Sequence, residues 1–326
     1  MIGVDLSEPG NEFAFLEEVA EDAGLPWRGP PTMERRVLEL AGGGSLAAIA
    51  WGEAGAGGGG REGRGDRGRA GHDLVFLHGG AQNSHTWDTT LLALARPAVA
   101  IDLPGHGLSS WREDGRYAPE VIADDVRRGV ETWAPAPRAI VGFSLGGLTA
   151  LALAAEAPSL VPALVLVDVS PGPGAPGAPS PVPSLARTPD GWASREELWE
   201  LATAAWPARS TGSLRRGIVH NTTVRDDGRV VWRHHFGNMT GGPGSFDIDR
   251  PRLWAALERV PGPVMLVRGG ASTVVSDDDE AELRTRRPDA AVHVLDGLGH
   301  DIPGEAPLVL AGLIEEFLGD GEGGTD

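Results

Sequence analysis

A serine held between glycines is the first residue whose setting points to chemistry. Residues 142–146 read Gly-Phe-Ser-Leu-Gly, between an apolar run at 138–141 and a helical stretch at 147–153. A Gly-x-Ser-x-Gly turn between a strand and a helix strains the backbone and lifts the serine hydroxyl clear of the sheet, so Ser144 is a candidate nucleophile. Because the chain has 48 glycines, the pentapeptide alone is weak evidence, and its neighbours have to support it.

His300 is the best candidate for the base that a serine nucleophile needs. It follows the last predicted strand, 291–295, after a Gly-x-Gly turn. In an open parallel sheet the reactive groups gather at the carboxyl ends of the strands, which predicts that His300 lies near Ser144. His234 and His235 are adjacent and would point in opposite directions along a strand, so they cannot share one metal ion, and we interpret them as surface or pocket lining.

An acyl-transfer site also needs N–H groups that hold the oxyanion. Residues 78–81 read His-Gly-Gly-Ala directly after an apolar run. We expect one donor to be the backbone N–H of Gly80 and the other to be that of Leu145, the residue after the nucleophile. His78 and His106 sit in glycine turns, where a structural hydrogen-bonding role is expected.

The elements around these residues alternate between short apolar runs and helical stretches. From residue 73 onwards we predict strands and helices in turn, at 74–77, 86–94, 98–101, 119–133, 140–141, 146–156 and 163–167. Runs that are apolar on both faces and separated by helices are typical of an α/β fold with a doubly wound, mostly parallel sheet.

The alternation stops at Pro171 and resumes near residue 263. We therefore predict a mainly helical cap, residues 171–255, inserted between two strands of a core formed by 36–170 and 256–326. Residues 1–35 are predicted to be an N-terminal extension, followed by an antiparallel hairpin at the edge of the sheet. The Gly/Arg-rich segment 54–71 cannot bury a core and is predicted to be a flexible loop.

With these motifs in place, the chain resembles an α/β-hydrolase with a cap domain. The resemblance rests on four segments that occur in the family's order and at its spacings, namely 76–80, 100–109, 141–147 and 297–300. It implies that Ser144 is the nucleophile, that His300 is the base, and that the N–H groups of Gly80 and Leu145 form the oxyanion hole.

The chain departs from this family at the catalytic acid. Most members place an Asp in a Gly-x-x-Asp turn after the strand that corresponds to 264–267, where this chain has Ser272. Some members carry the acid after the preceding strand, and Asp168 has that position here. We therefore predict Asp168 as the acid, with Asp277–Asp279 as the alternative, although these residues begin a predicted helix and are expected to interact with its dipole.

Aromatic residues dominate the predicted cap. Trp192, Trp199 and Trp206 recur every seven residues, which predicts one helical face that packs on the main domain. The residues predicted to line a substrate pocket are Phe143, Trp206, Trp232 and Phe236.

Composition narrows the partners and the compartment. A net charge of −18 disfavours nucleic acid and anionic membranes as partners, and the lack of cysteine excludes disulfides and thiolate metal sites. The N-terminus lacks the basic start and apolar core of a secretory signal, and no apolar run is long enough to cross a bilayer, so a soluble, cytoplasmic protein is expected. The motifs imply no metal and no organic cofactor.

Three functions fit these observations. The first is a serine hydrolase that cleaves an ester or lactone of a small-to-medium apolar molecule. The second uses the same residues to cleave a carbon–carbon bond, as a hydrolase or a lyase. The third is a ligand-binding receptor or scaffold with little turnover, for which the missing acid after strand 264–267 is the one supporting feature. The sequence leaves the oligomeric state open.

Overall fold

The computed structural model describes residues 4–53, 72–177, 188, 190–206, 209–235 and 248–320. The predicted flexible loop at 54–71 lies outside these residues. Within them, no helix is long and apolar enough to cross a membrane.

An eight-stranded sheet forms the centre of the described fold. Its strands are β1 Met33–Glu39, β2 Ser45–Trp51, β3 Leu74–Leu77, β4 Ala98–Asp102, β5 Ala139–Phe143, β6 Leu164–Val167, β9 Val264–Gly269 and β10 Ala291–Leu295, and a separate two-stranded sheet contains β7 Thr222–Val224 and β8 Val230–Trp232. The order in the large sheet is β1-β2-β4-β3-β5-β6-β9-β10. The first two strands form the predicted edge hairpin, and β2 is also antiparallel to β4, whereas the pairs from β4 to β10 are parallel.

Helices cover both faces of the large sheet. Because side chains alternate along a strand, Val75 and Leu77 of β3 enter one core and Leu74 and Phe76 enter the other. The helices are α1 Leu16–Asp22, α2 Asp88–Leu94, α3 Pro119–Trp133, α4 Leu145–Glu156, α5 Arg195–Ala205, α6 Thr211–Asn221, α7 Arg250–Glu258, α8 Asp277–Arg286, α9 Ile302–Glu305 and α10 Pro307–Asp320, with short 3-10 helices at Ser84–Trp87 and Pro158–Leu160. This arrangement confirms the predicted doubly wound α/β fold.

The segment between β6 and β9 contains α5, α6 and the β7–β8 hairpin, and its residues form a hydrophobic cluster together with Leu6 of the N-terminal segment. The predicted helical face of three tryptophans is wrong for Trp192. That residue precedes α5, whose N-cap is Ser194, and it forms an isolated bridge with Val230. The predicted boundary at 35/36 falls inside β1 and the one at 255/256 falls inside α7, while the division into core and cap stays a prediction.

A buried ion pair ties the edge hairpin to the carboxyl end of β4. Arg35 Nη1 lies 2.9 Å from Asp102 Oδ2, and Arg35 also pairs with Glu12 in the N-terminal segment. The Asp102 carboxylate also accepts hydrogen bonds from the backbone N–H groups of Ser84 and Leu108. Burial raises the pKa of Asp102, but the guanidinium of Arg35, the nearby His78 and the hydrogen bonds from Leu108 and Ser84 together outweigh burial and lower that pKa.

We expect Arg35→Met to lower the free energy of unfolding by about 3 kcal/mol, because it leaves the Asp102 carboxylate buried without its cation. Arg36→Met is the matched control, since Arg36 pairs with its exposed neighbour Glu34, and it is expected to cost less than about 0.5 kcal/mol. Urea unfolding of the three proteins measures both values. Equal losses in the two variants would contradict this role for the ion pair.

Candidate active site

Ser144 occupies a strained turn between β5 and α4. Its φ and ψ angles are 50° and −118°, a conformation that non-glycine residues rarely adopt. The turn is tight because its flanking glycines have no side chains: a Cβ on Gly146 would lie 2.2 Å from the carbonyl oxygen of Leu77, and a Cβ on Gly142 would lie 2.5 Å from Cα of Gly147. The two glycines of the motif therefore allow the turn to form.

The imidazole of His300 reaches Ser144 from the loop after β10. The distance from His300 Nε2 to Ser144 Oγ is 3.1 Å. The loop is held in place by backbone hydrogen bonds to the neighbouring β9 turn, from the N–H of Gly270 to the carbonyl of Leu295 and from the N–H of Ala271 to that of Leu298. The His300 side chain remains 21% exposed, so a substrate or water molecule has access to it.

Asp168 completes a hydrogen-bonded chain behind His300. Its Oδ2 atom lies 2.7 Å from His300 Nδ1, and its side chain is fully buried. The residue directly follows β6 and has a φ of 46°, in the left-handed region. Its other oxygen, Oδ1, accepts a hydrogen bond of 2.8 Å from the backbone N–H of Gly269. The buried carboxylate is thus partnered at both oxygens, as a buried charge requires.

Ser272 has a role that the sequence interpretation missed. Its hydroxyl donates a hydrogen bond to Asp168 Oδ2, the same oxygen that His300 contacts. Most family members carry the acid at the position of Ser272. In this chain the residue there instead donates a hydrogen bond to the carboxylate that follows the neighbouring strand, β6. The sequence contained one signal for this role: Ser272 occupies the position where most family members carry the acid, and a residue at that position lies beside the imidazole.

The alternative carboxylates at 277–279 are engaged in the start of α8. The side chain of Asp279 accepts from the backbone N–H of Ser276 at 2.9 Å in a capping box, and Asp277 pairs with Arg268 at 2.7 Å. These contacts match their expected role at a helix N-terminus.

The turn that contains Gly80 is braced by a buried histidine. His78 Nδ1 donates to the carbonyl of Gly79 at 2.7 Å, and Nε2 accepts from the backbone N–H of Leu103 at 2.9 Å. These partners assign a neutral tautomer, and burial lowers the pKa of His78, which favours the neutral form. Leu145 is the first residue of α4, where backbone N–H groups have no partner within the helix.

A polar bridge connects this turn with the loop of His300. Gln82 accepts from the backbone N–H of Gly79 at 3.3 Å and donates to Asp301 Oδ1 at 3.2 Å. Asp301 directly follows His300 and also pairs with Arg209, which lies between α5 and α6. The bridge therefore joins three segments of the chain beside the candidate site.

The predicted pocket residues have different positions. Phe143 is 2% exposed, and its ring centroid lies 4.8 Å from that of His300, so it packs against the imidazole. Trp232 is 9% exposed and packs edge-on against Trp192, whereas Trp206 is partly buried against the same cluster. Phe236 lies outside the described residues.

The remaining histidines of the sequence interpretation contact different groups. His234 stacks on Trp232, while His235 stacks on Trp111 and accepts from the hydroxyl of Tyr117 at 2.8 Å. The two adjacent imidazoles therefore have separate surroundings. Burial lowers the pKa of His234 to about 3, so this ring is neutral across the physiological range.

This strand–turn–helix with its serine, histidine and aspartate is the arrangement of an α/β-hydrolase, and the comparison with known families agrees. Residues 74–313 match the profile of the alpha/beta hydrolase family. The chain belongs to that family.

Among its relatives is the esterase Rv0045c of Mycobacterium tuberculosis, which is 38% identical over 94% of this chain and 96% of its own length. A solved structure of that esterase, reported together with its inhibition by transition metals, has a TM-score of 0.76 at 35% identity and covers 95% of this chain and 100% of the other. The mouse sn-1-specific diacylglycerol lipase ABHD11 is 26% identical over 75% of this chain and 80% of its own length. These relatives support a serine ester hydrolase, as predicted, and the contact between Asp168 and His300 removes the one feature that favoured a receptor.

We expect Asp168→Asn to lower the turnover of a p-nitrophenyl ester by at least a hundredfold and by up to about 10⁴, because the amide favours the wrong tautomer of His300. Steady-state kinetics at neutral pH measure the effect. Asp277→Asn, at an exposed carboxylate of α8, is the control and is expected to stay within about twofold of the parent, since exposed ion pairs contribute little. Similar losses in both variants would reject Asp168 as the acid.

We also expect Ser272→Asp to raise the kcat/KM of the Asp168→Asn variant by at least about tenfold. Such an increase requires only about 1.4 kcal/mol of restored transition-state stabilisation. The reason is that Ser272 Oγ and His300 Nδ1 both contact the same carboxylate oxygen, so a carboxylate at 272 has the imidazole within reach. In the parent background the same substitution is expected to reduce turnover, because it places two carboxylates together. Values of kcat/KM for the parent, the two single variants and the double variant test this prediction. A double variant no faster than Asp168→Asn would contradict this geometry.

Proposed function

We propose that this protein hydrolyses carboxylic esters through an acyl-enzyme on Ser144. The observation that carries the proposal is the hydrogen-bonded chain from Ser144 Oγ through His300 to the buried Asp168, with distances of 3.1 and 2.7 Å. Such a chain lets an ordinary hydroxyl lose its proton at the moment of attack. Esterase and lipase relatives support the same chemistry.

Acylation begins when His300 Nε2 accepts the Ser144 proton as Oγ attacks the ester carbonyl. The backbone N–H groups of Gly80 and Leu145 are the proposed donors to the oxyanion, and the N-terminus of α4 adds a favourable dipole there. Asp168 keeps Nδ1 protonated and stabilises the imidazolium without taking its proton. The imidazolium then protonates the leaving alkoxide, and the alcohol departs.

Deacylation repeats these steps with water as the nucleophile. His300 accepts a proton from the water molecule as the water oxygen attacks the acyl carbon. The imidazolium then donates this proton to Ser144 Oγ as the second tetrahedral intermediate collapses, which releases the acid and restores the hydroxyl of Ser144. The 21% exposure of His300 supports the access that this water needs. None of these steps calls on a metal or an organic cofactor.

For the substrate, we propose an ester of a small-to-medium apolar molecule. The segment between β6 and β9 contains a buried aromatic pair, Trp192 and Trp232, packed edge-on at 5.1 Å between ring centroids. The ring of His234 stacks on Trp232 and lies 6.1 Å from that of His106, which in turn lies 5.2 Å from His78 in the Gly80 turn. This buried series of rings packs the segment against the candidate oxyanion turn, and its aromatic residues support an apolar environment beside that turn.

Cleavage of a lactone or of a carbon–carbon bond would use the same three side chains as ester hydrolysis. A panel of test substrates therefore has to include lactones and diketones as well as esters.

We expect a fluorophosphonate to label the folded chain once, at Ser144, and Ser144→Ala to remain unlabelled. We further expect kcat/KM to be higher for p-nitrophenyl esters of short and medium acyl chains than for long acyl chains, lactones or vinylogous diketones.

The labelling and the panel test different parts of the proposal. A folded parent protein that does not react with the fluorophosphonate would contradict Ser144 as an activated nucleophile. Labelling at Ser144 together with turnover of diketones but not of esters would instead select the carbon–carbon alternative, with the same catalytic residues.

A further inference from the structure

Two histidines and an aspartate that are not part of the candidate triad lie together where the segment after the Gly80 turn meets the end of α6. One ligand atom from each of His85, Asp88 and His220 lies within 4.8 Å of the corresponding atoms of the other two. His85 is in the 3-10 helix Ser84–Trp87, Asp88 begins α2, and His220 is near the end of α6. The mechanism proposed for ester hydrolysis uses none of these side chains.

Two atoms of this cluster could each coordinate a ligand. Asp88 Oδ1 and His220 Nε2 are buried, and neither has a hydrogen-bond partner among the residues that the structure describes. The side chains of Asp88 and His85 are only 8% and 7% exposed. A buried polar atom gains stability from a hydrogen-bond or ligand partner, so both atoms are available to a bound ion.

We propose that His85, Asp88 and His220 bind a divalent transition-metal ion of the zinc type. Two imidazoles and one carboxylate form a ligand set that Zn²⁺, Co²⁺ and Ni²⁺ accept, with water at the remaining position. The ion would lie between His85 Nδ1, the Asp88 carboxylate and His220 Nε2, and it would provide partners for both of the unpartnered atoms.

The surroundings of His85 resemble the outer shell of a metal site. Its other nitrogen, Nε2, lies 3.3 Å from Glu12 Oε2. A histidine that binds a metal through one nitrogen usually donates its other N–H to a carboxylate, which fixes the tautomer and the ring orientation. Glu12 is itself held by Arg35.

One asparagine positions both histidines. Asn83 Oδ1 accepts from the backbone N–H of His85 at 2.9 Å, and Asn83 Nδ2 donates to the backbone carbonyl of His220 at 3.0 Å. The 3-10 helix and the end of α6 are therefore fixed relative to each other. A cavity of about 510 Å³, lined by all three proposed ligands, provides a path for the ion.

Binding requires two local changes. The rings of His85 and His220 are stacked with centroids 3.7 Å apart, so they have to rotate until both lone pairs point at one ion. The ion also displaces the proton that His85 shares with Asp88, at a distance of 2.9 Å, and this proton is released to solvent. Both changes reduce the affinity without removing any ligand.

Calorimetric titration of the full chain with ZnCl₂ tests the proposal. We expect one tight site per chain, and we expect His220→Phe to weaken it by more than about 100-fold, beyond the effect of losing an outer partner. Phenylalanine keeps the ring that packs against Phe15 and His85 and replaces a nitrogen that has no partner in the described structure, so this variant is expected to fold. Glu12→Gln is expected to weaken binding by about 10–100-fold.

Two further variants serve as controls. His293→Ala removes a histidine of β10, outside the cluster, and His300→Ala removes the candidate base; both are expected to bind Zn²⁺ as the parent does. A parent chain without a tight site, or equal affinity in folded His220→Phe and parent protein, would overturn the proposal. Loss of the site in His300→Ala with retention in His220→Phe would also overturn it, because the ion would then bind at the candidate triad.

Discussion

The candidate site depends on the hydrogen bonds that the buried carboxylate of Asp168 accepts. A fully buried charge is stable only when hydrogen bonds replace the water that it has lost, and here the partners are the N–H of Gly269, the hydroxyl of Ser272 and the imidazole of His300. These partners come from β9 and from the loops after β9 and β10. The carboxylate of Asp168 therefore connects the end of β6 to the end of β9 and to the loop of His300.

The register of the sheet explains why the acid can come from either of two strands. Strands β6 and β9 are parallel neighbours, and Val167 at the end of β6 is paired with Val267. The residues after these two strands consequently approach the same imidazole. Asp168 provides the charge in this chain and Ser272 provides a hydrogen bond, whereas most family members place the charge on the β9 side.

A second polar network connects the N-terminal segment to the core. Arg35 bridges Glu12 and the buried Asp102, and Glu12 also contacts His85. Since Asp102 accepts from the backbone N–H of Ser84, this network positions the start of the 3-10 helix that follows the turn. The region predicted as an N-terminal extension is thus part of the packed structure through its ionic contacts as well as through Leu6 and Leu16.

The sequence by itself determined the fold class, the elbow of Ser144 and the loop of His300, because each depends on local order: an apolar run, a glycine turn and a helical stretch. The sequence predicted Asp168 as the acid but kept Asp277–Asp279 as the alternative, since all of them follow strands or begin helices. Only the tertiary structure shows that Asp168 lies within 2.7 Å of His300 Nδ1, whereas Asp279 caps α8. The seven-residue spacing of tryptophans was misleading at Trp192 because periodicity does not reveal that Ser194 caps α5. The cluster of His85, Asp88 and His220 likewise exists only after folding brings α6 against the 3-10 helix, which no spacing along the chain encodes.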